Sequence, residues 1–131
     1  MGASASVRQY LIVAAGAAIG ANCRFIVANW AASRWGTAFP YGTMLINLSG
    51  SFAIGLIMAV LAQRAVADPA WRLLLVTGFL GAYTTFSSLA YETLALAQGG
   101  SAARAFMNMA GSAVAGMLAV ILGTLVGRAL G

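Results

Sequence analysis

Asn47, Asn108, Ser112 and the hydroxyls between Thr77 and Ser88 sit inside long apolar stretches, and they are where this chain has the means to do chemistry. An amide or hydroxyl left unpaired in an apolar setting costs roughly 2 to 7 kcal/mol. Its partner must be a neighbouring helix or something that passes between helices. Helical spacing puts Gly50 and Ser51 on the side of Asn47, leaving room beside the amide. Asn108, Ser112 and Gly116 recur every four residues and form one polar stripe on a helix face. Arg24 lies within the first apolar stretch. A charge there costs roughly 2.5 to 3.5 kcal/mol at the bilayer centre, so Arg24 either faces a wet vestibule or anchors at the interface.

The run Thr77-Gly78-Phe79-Leu80-Gly81-Ala82-Tyr83-Thr84-Thr85-Phe86-Ser87-Ser88 is the least helix-like part of an otherwise apolar segment. Hydroxyls can replace backbone hydrogen bonds lost at a break, and the run predicts an unwound turn near Gly81 to Ser87. Carbonyls freed at such a break suit a dehydrated cation, because they offer oxygen without formal charge. A kink closed by Ser and Thr bonding back to the chain needs no ligand. A cation path through the side chains would be expected to use acidic rings, whereas this interior offers amides, hydroxyls, an Arg and aromatic ring edges. The edge is the positive part of the ring quadrupole. The donors Asn47, Ser87, Ser88, Asn108 and Ser112, with aromatic ring edges beside them, therefore favour a small anion, and the same side chains would equally serve as glue between helices.

Much other chemistry is excluded by inventory. With no His, one Cys (Cys23) and only Asp68 and Glu92 as acids, there is no catalytic triad, Cys/His pair or zinc-type ligand set. No enzyme is expected, and Cys23 reads as a small buried apolar residue. The charged fraction is 7%, against about a quarter in soluble domains. Such a chain belongs in a lipid bilayer. The net charge of +5 comes from Arg residues scattered at 8, 24, 34, 64, 72, 104 and 128, so there is no basic patch for nucleic acid.

These residues must be positioned by membrane-spanning helices. One all-α domain covers 1–131, with spans expected at about 9–33, 41–62, 73–91 and 105–127. The uncharged runs reach about 28 to 35 Å, against a hydrocarbon core of roughly 30 Å. Breakers lie between them at Gly36 and Pro40, at Asp68 and Pro69, and at Gly99 and Gly100, and the short connections make neighbouring spans antiparallel. Gly16/Gly20 and Gly123/Gly127, with Ser51/Gly55 and Ser112/Gly116, predict close helix packing. Three local patterns are discounted: a leader-like start interrupted by Arg24, the myristoylation-like Met1-Gly2-Ala3-Ser4-Ala5-Ser6, and the sequon Asn47-Leu48-Ser49 inside a span. Arg8, Arg64, Arg72 and Arg128 fall on one side of the membrane, Arg34 and Arg104 on the other. That weak bias allows insertion both ways up and favours an antiparallel homodimer over a single fixed orientation.

In order along the chain, Gly20-Ala21-Asn22-Cys23-Arg24, Tyr41-Gly42-Thr43-Met44-Leu45-Ile46-Asn47-Leu48-Ser49-Gly50, Thr77-Gly78-Phe79-Leu80-Gly81, Thr84-Thr85-Phe86-Ser87 and Glu92 resemble the Fluc or CrcB family of fluoride channels. The resemblance covers nearly the whole length. It implies a dual-topology antiparallel homodimer in the bacterial inner membrane, with two fluoride pores and a central structural sodium ion. By position it assigns the sodium carbonyls to Gly81 and Thr84, the pore amide to Asn47, the fluoride-facing ring edge to Phe86, the polar track to Ser112, and the vestibule arginine to Arg24. It also implies passive export of fluoride from the cytoplasm, where hydrogen fluoride has dissociated.

The chain departs from the family pattern in four places. Leu89 stands where the family usually has a second Phe, and it cannot present a positive ring edge. Ala82 replaces a Gly beside the break, Asn108 stands where a Tyr can occur, and Gly116 removes a hydroxyl. Two rivals remain. A proton-coupled exporter of the small multidrug type needs a membrane carboxylate; segment one has none, and Glu92 is expected at a helix end. A non-transporting assembly subunit would use the polar residues as glue.

Overall fold

The computed structural model describes residues 4–65 and 68–131, so Met1-Gly2-Ala3 of the myristoylation-like pattern lies outside the described residues. Four stretches are long and apolar enough to cross a membrane: Val7–Trp35, Tyr41–Gln63, Pro69–Gln98 and Ala102–Leu130. The protein is an all-α membrane protein with four spans. The first, third and fourth spans run past their expected ends, because a charged side chain such as Arg ends an apolar run without ending a helix. Arg is a good helix former whose long stem lets its charge reach the interface.

Local signals set the ends. Helix α1 (Val7–Trp35) opens on a capping box: the Gln9 amide donates to Ser6 Oγ and the Ser6 amide to Gln9 Oε1, at 3.3 and 2.7 Å. It stops at Gly36, whose φ of 76° suits glycine. Helix α2 (Tyr41–Gln63) starts directly after Pro40. The third span is composite. It contains a short turn α3 (Pro69–Arg72), a π-helical segment (Leu73–Leu80), one further turn α4 (Gly81–Tyr83), an interruption, and α5 (Phe86–Gln98). Helix α6 (Ala102–Leu130) completes the bundle.

The π-helical segment was not legible in the pattern of residues. It lies against α1, where a Cβ on Gly16 would strike the Leu74 carbonyl and one on Gly20 the Phe79 carbonyl. The backbones therefore touch at this crossing, in the manner expected of small-xxx-small pairs. The same device joins α2 to α6: a Cβ on Gly55 would strike the Val120 carbonyl, and one on Gly123 the Phe52 carbonyl. The interior is thin, with Ala31, Ile46, Leu80, Leu89 and Ala105 among its buried apolar residues. Large apolar side chains such as Leu11, Ile26 and Leu118 point outward, as lipid allows and water would not. Cys23 is half-buried and is a free thiol, which differs from the buried position expected of it.

Candidate functional site

The third span unwinds at Thr84 and Thr85, whose backbones are extended (φ, ψ of −80°, 157° and −151°, 119°). The expected turn from Gly81 to Ser87 is thus narrower in the structure: Gly81–Tyr83 keeps a helical turn, and Phe86 already begins α5. The reason is the amide of Asn47. Its Nδ2 donates to the Thr85 carbonyl at 2.9 Å, and its Oδ1 accepts the Thr85 N–H at 2.8 Å. Two bonds from one planar side chain hold one residue extended, as a strand neighbour would.

That clamp has a consequence for the helix on either side. In an uninterrupted α-helix the Thr85 N–H would donate to the Gly81 carbonyl and the Ser88 N–H to the Thr84 carbonyl. Here the first goes to Asn47, and the second goes to Thr85 Oγ1 at 3.2 Å. Gly81 and Thr84 are left with carbonyls whose helical donors have been diverted. The Thr84 N–H and hydroxyl both turn back to the Leu80 carbonyl, at 3.0 and 2.9 Å. Gly50 makes the approach of α2 feasible, because a Cβ there would strike the Thr84 methyl group.

An open-sided cavity of about 470 Å³ lies beside this break. Its walls include Asn47, Gly81, Thr84, Phe86, Leu89 and Ser112, so it gathers residues from α2, the third span and α6. Ser112 is buried, and its hydroxyl has no protein partner. A buried hydroxyl in a cavity wall is a donor held ready for something else. The amide of Asn47 cannot flip without losing both bonds to Thr85, so its NH₂ group keeps one orientation and one N–H remains to be given away. Phe86 is 73% exposed in the single chain.

Other candidates are placed elsewhere. Asn108 is fully buried between α5 and α6, where its Nδ2 donates to Thr93 Oγ1 at 3.0 Å; it does not line the cavity. The Thr93 hydroxyl in turn donates to the Leu89 carbonyl at 2.7 Å, so this arm of the stripe ties two helices together. Ser88 Oγ accepts from Thr85 Oγ1 at 3.1 Å, and Ser87 Oγ lies 3.3 Å from the same oxygen. These serines dress the start of α5 instead of lining the cavity. Arg24 is partly exposed on α1, away from the cavity walls.

Two features were not foreseen from the residues. One is Thr85, whose backbone and hydroxyl organise the whole break. The other is Glu92, expected at a helix end but found inside α5, where Thr43 Oγ1 donates to its Oε1 at 2.8 Å and Oε2 is buried without a partner. The apolar run stops at Glu92, but the helix continues to Gln98, because a single charge paired by Thr43 does not end a helix. Among the described residues no three of His, Cys, Asp and Glu gather as a metal site.

Comparison with known proteins gives a consistent result. Residues 11–124 match the family described as CrcB-like protein, Camphor Resistance (CrcB). A fluoride-specific ion channel FluC from Chloroflexus aurantiacus is 48% identical over 125 residues, covering 95% of this chain and 99% of that protein. A protein of the same name from Acidobacterium capsulatum is 50% identical over 120 residues, covering 92% and 96%. Another from Roseiflexus is 47% identical over 120 residues, covering 92% and 97%.

Proposed function

This chain belongs to the CrcB-like family, and from that premise we propose that it is a fluoride-selective channel in a bacterial plasma membrane, passing the ion through the cavity beside the broken third span. The observation that carries this reading is the unpartnered buried hydroxyl of Ser112, in one wall with the pinned amide of Asn47 and the ring of Phe86. Fluoride is small and strongly hydrated. A pore must replace its water with donors at every step without holding it too tightly to leave. Neutral N–H and O–H groups and ring edges meet that requirement, and a fixed cation in the narrow part would not. Flow is passive, outward from the cytoplasm, and no catalytic step is involved.

The working unit of this reading is an antiparallel homodimer. Its support is the outward-facing Phe86 and Gly81 at the break and the weak bias of Arg between the two ends of the bundle. The carbonyls of Gly81 and Thr84 fit a sodium ion shared with the second copy, since both have lost their helical donors and neither is a formal charge. Bound there, sodium would offset the carbonyl dipoles gathered at the break. Arg24, at the partly exposed flank of α1, is the vestibule cation of this reading.

Purified protein in liposomes is expected to pass fluoride, to exclude chloride, and to need no proton gradient. Silence in that assay would overturn the channel reading. One observation speaks for the proton-coupled exporter: Glu92 is a carboxylate inside the third span, with one oxygen unpartnered. Flux that appears only with a proton gradient, and disappears in Glu92→Gln, would favour it.

Leu89 tests the role of the ring edge at the second aromatic position. It is 7% exposed and lines the cavity, which has room for a larger side chain. Leu89→Phe is therefore expected to keep or raise fluoride flux with the fold intact. A clear loss of flux, measured in the same liposomes, would show that the pore is packed around leucine.

A further inference from the structure

The largest cavity described lies away from the break, on the outer face where the start of α6 meets the end of α1 and the start of α2, and its volume is about 970 Å³. Arg104 stands at one end, with Trp35 and Tyr41 beside it, and Phe106, Met107 and Val114 line the remainder. These apolar residues are all exposed. We propose that this groove binds one anionic phospholipid, with the phosphate at Arg104 and an acyl chain along α6.

Three observations fit lipid better than another occupant. The first is length. From Arg104 to Val114 a helix rises about 15 Å, which is half of a hydrocarbon core of roughly 30 Å. The groove therefore runs the depth of one leaflet and no further. The second is the aromatic end: Trp30 and Trp35 pack edge to face at 5.1 Å, and Trp35 lies 5.9 Å from Tyr41. Indole and phenol rings clustered beside a cation mark the headgroup level of a membrane.

The third observation is charge. The chain has only two acidic residues, Asp68 and Glu92. Asp68 lies 3.9 Å from Arg8, and Glu92 accepts from Thr43 inside the bundle. Neither lines the groove, so no carboxylate of the chain stands beside Arg104, and its charge is free to meet an anionic headgroup. A second copy carries the same two acids with the same engagements and is poorly equipped to supply it. The groove at the opposite end of the bundle, with Arg8 and Trp71, provides the internal contrast, because there a carboxylate, Asp68, lines the groove 3.9 Å from its arginine. Selectivity for an anionic headgroup is expected at Arg104 and not at Arg8.

The test uses the full-length protein, stripped of lipid in detergent and titrated with phosphatidylglycerol or phosphatidylcholine of identical chains, with bound lipid counted by native mass spectrometry. Phosphatidylglycerol is expected to bind about fivefold more tightly, the effect of one arginine near an anionic headgroup. Arg104→Gln should reduce it to the phosphatidylcholine level, and Arg8→Gln should leave it unchanged. Gly111→Trp, which fills the groove, should weaken both lipids. Equal binding of the two lipids, or unchanged preference in Arg104→Gln, overturns the proposal. Displacement by inorganic phosphate alone would assign the site to a free anion. Loss of self-association in Arg104→Gln would assign the groove to a second copy, and either result also overturns the lipid reading.

Discussion

Asn47→Asp is expected to abolish fluoride flux while leaving the protein folded. The aspartate keeps an oxygen to accept the Thr85 N–H, so half of the clamp survives. It loses the donor to the Thr85 carbonyl and sets a carboxylate against that oxygen. It also puts a negative charge in the wall of the cavity. A like charge about 4 Å from an anion costs about 4 kcal/mol at an effective dielectric constant of 20, or roughly a thousandfold in occupancy. The two readouts are liposome flux and the elution profile of the purified protein. Undiminished flux would remove Asn47 from the ion path and leave it only the task of holding the break open. Loss of folding together with flux would show that the donor bond to Thr85 is indispensable to the bundle.

Gly123→Val is expected to be the most damaging change for the fold. Even the Cβ would press on the Phe52 carbonyl, with its carbon at 2.9 Å and the Leu56 nitrogen at 3.1 Å, and the two further methyl groups have nowhere to go. The obstacle is backbone, which cannot rotate aside. Overpacking of this kind costs about 3 kcal/mol or more, and α6 would have to move away from α2, carrying Ser112 away from the cavity. Gly111→Ala on the same helix supplies the control, since a Cβ there meets nothing within 4 Å. A thermal melt in detergent should show a large loss for the first and little change for the second. Equal melting temperatures would mean that α2 and α6 do not meet through Gly123.

The two substitutions also show what was legible in the residues. The pairing of Gly123 with Gly127 announced a close helix crossing, and small residues at four-residue spacing have few other uses in lipid. The partner helix was not announced, because any neighbour with a smooth backbone would satisfy the pattern. Asn47 was recognisable as an amide that needed a partner. That its partners are both the N–H and the carbonyl of Thr85 depends on where α2 crosses the third span, which no local spacing encodes.

Glu92 and Asn108 show where local spacing stops being informative. A charge that closes an apolar run predicts a boundary, and an Asn on a polar stripe suits an ion path and a helix contact equally well. In the bundle Thr43 and Thr93 meet them from other positions, so each is part of a helix contact. Side chains separated by 49 and 15 residues become neighbours only after the chain has folded back on itself.

By itself, the sequence determined the solvent, the number of spans and the break in the third of them. All three follow from composition and local pattern, which act within one helix. The tertiary structure alone decided which donors share a cavity, which are used up between helices, and which carbonyls the break releases. Those outcomes depend on distances between helices. A hydrogen bond distinguishes 2.9 Å from a few ångströms more, and only the packed backbone sets that difference.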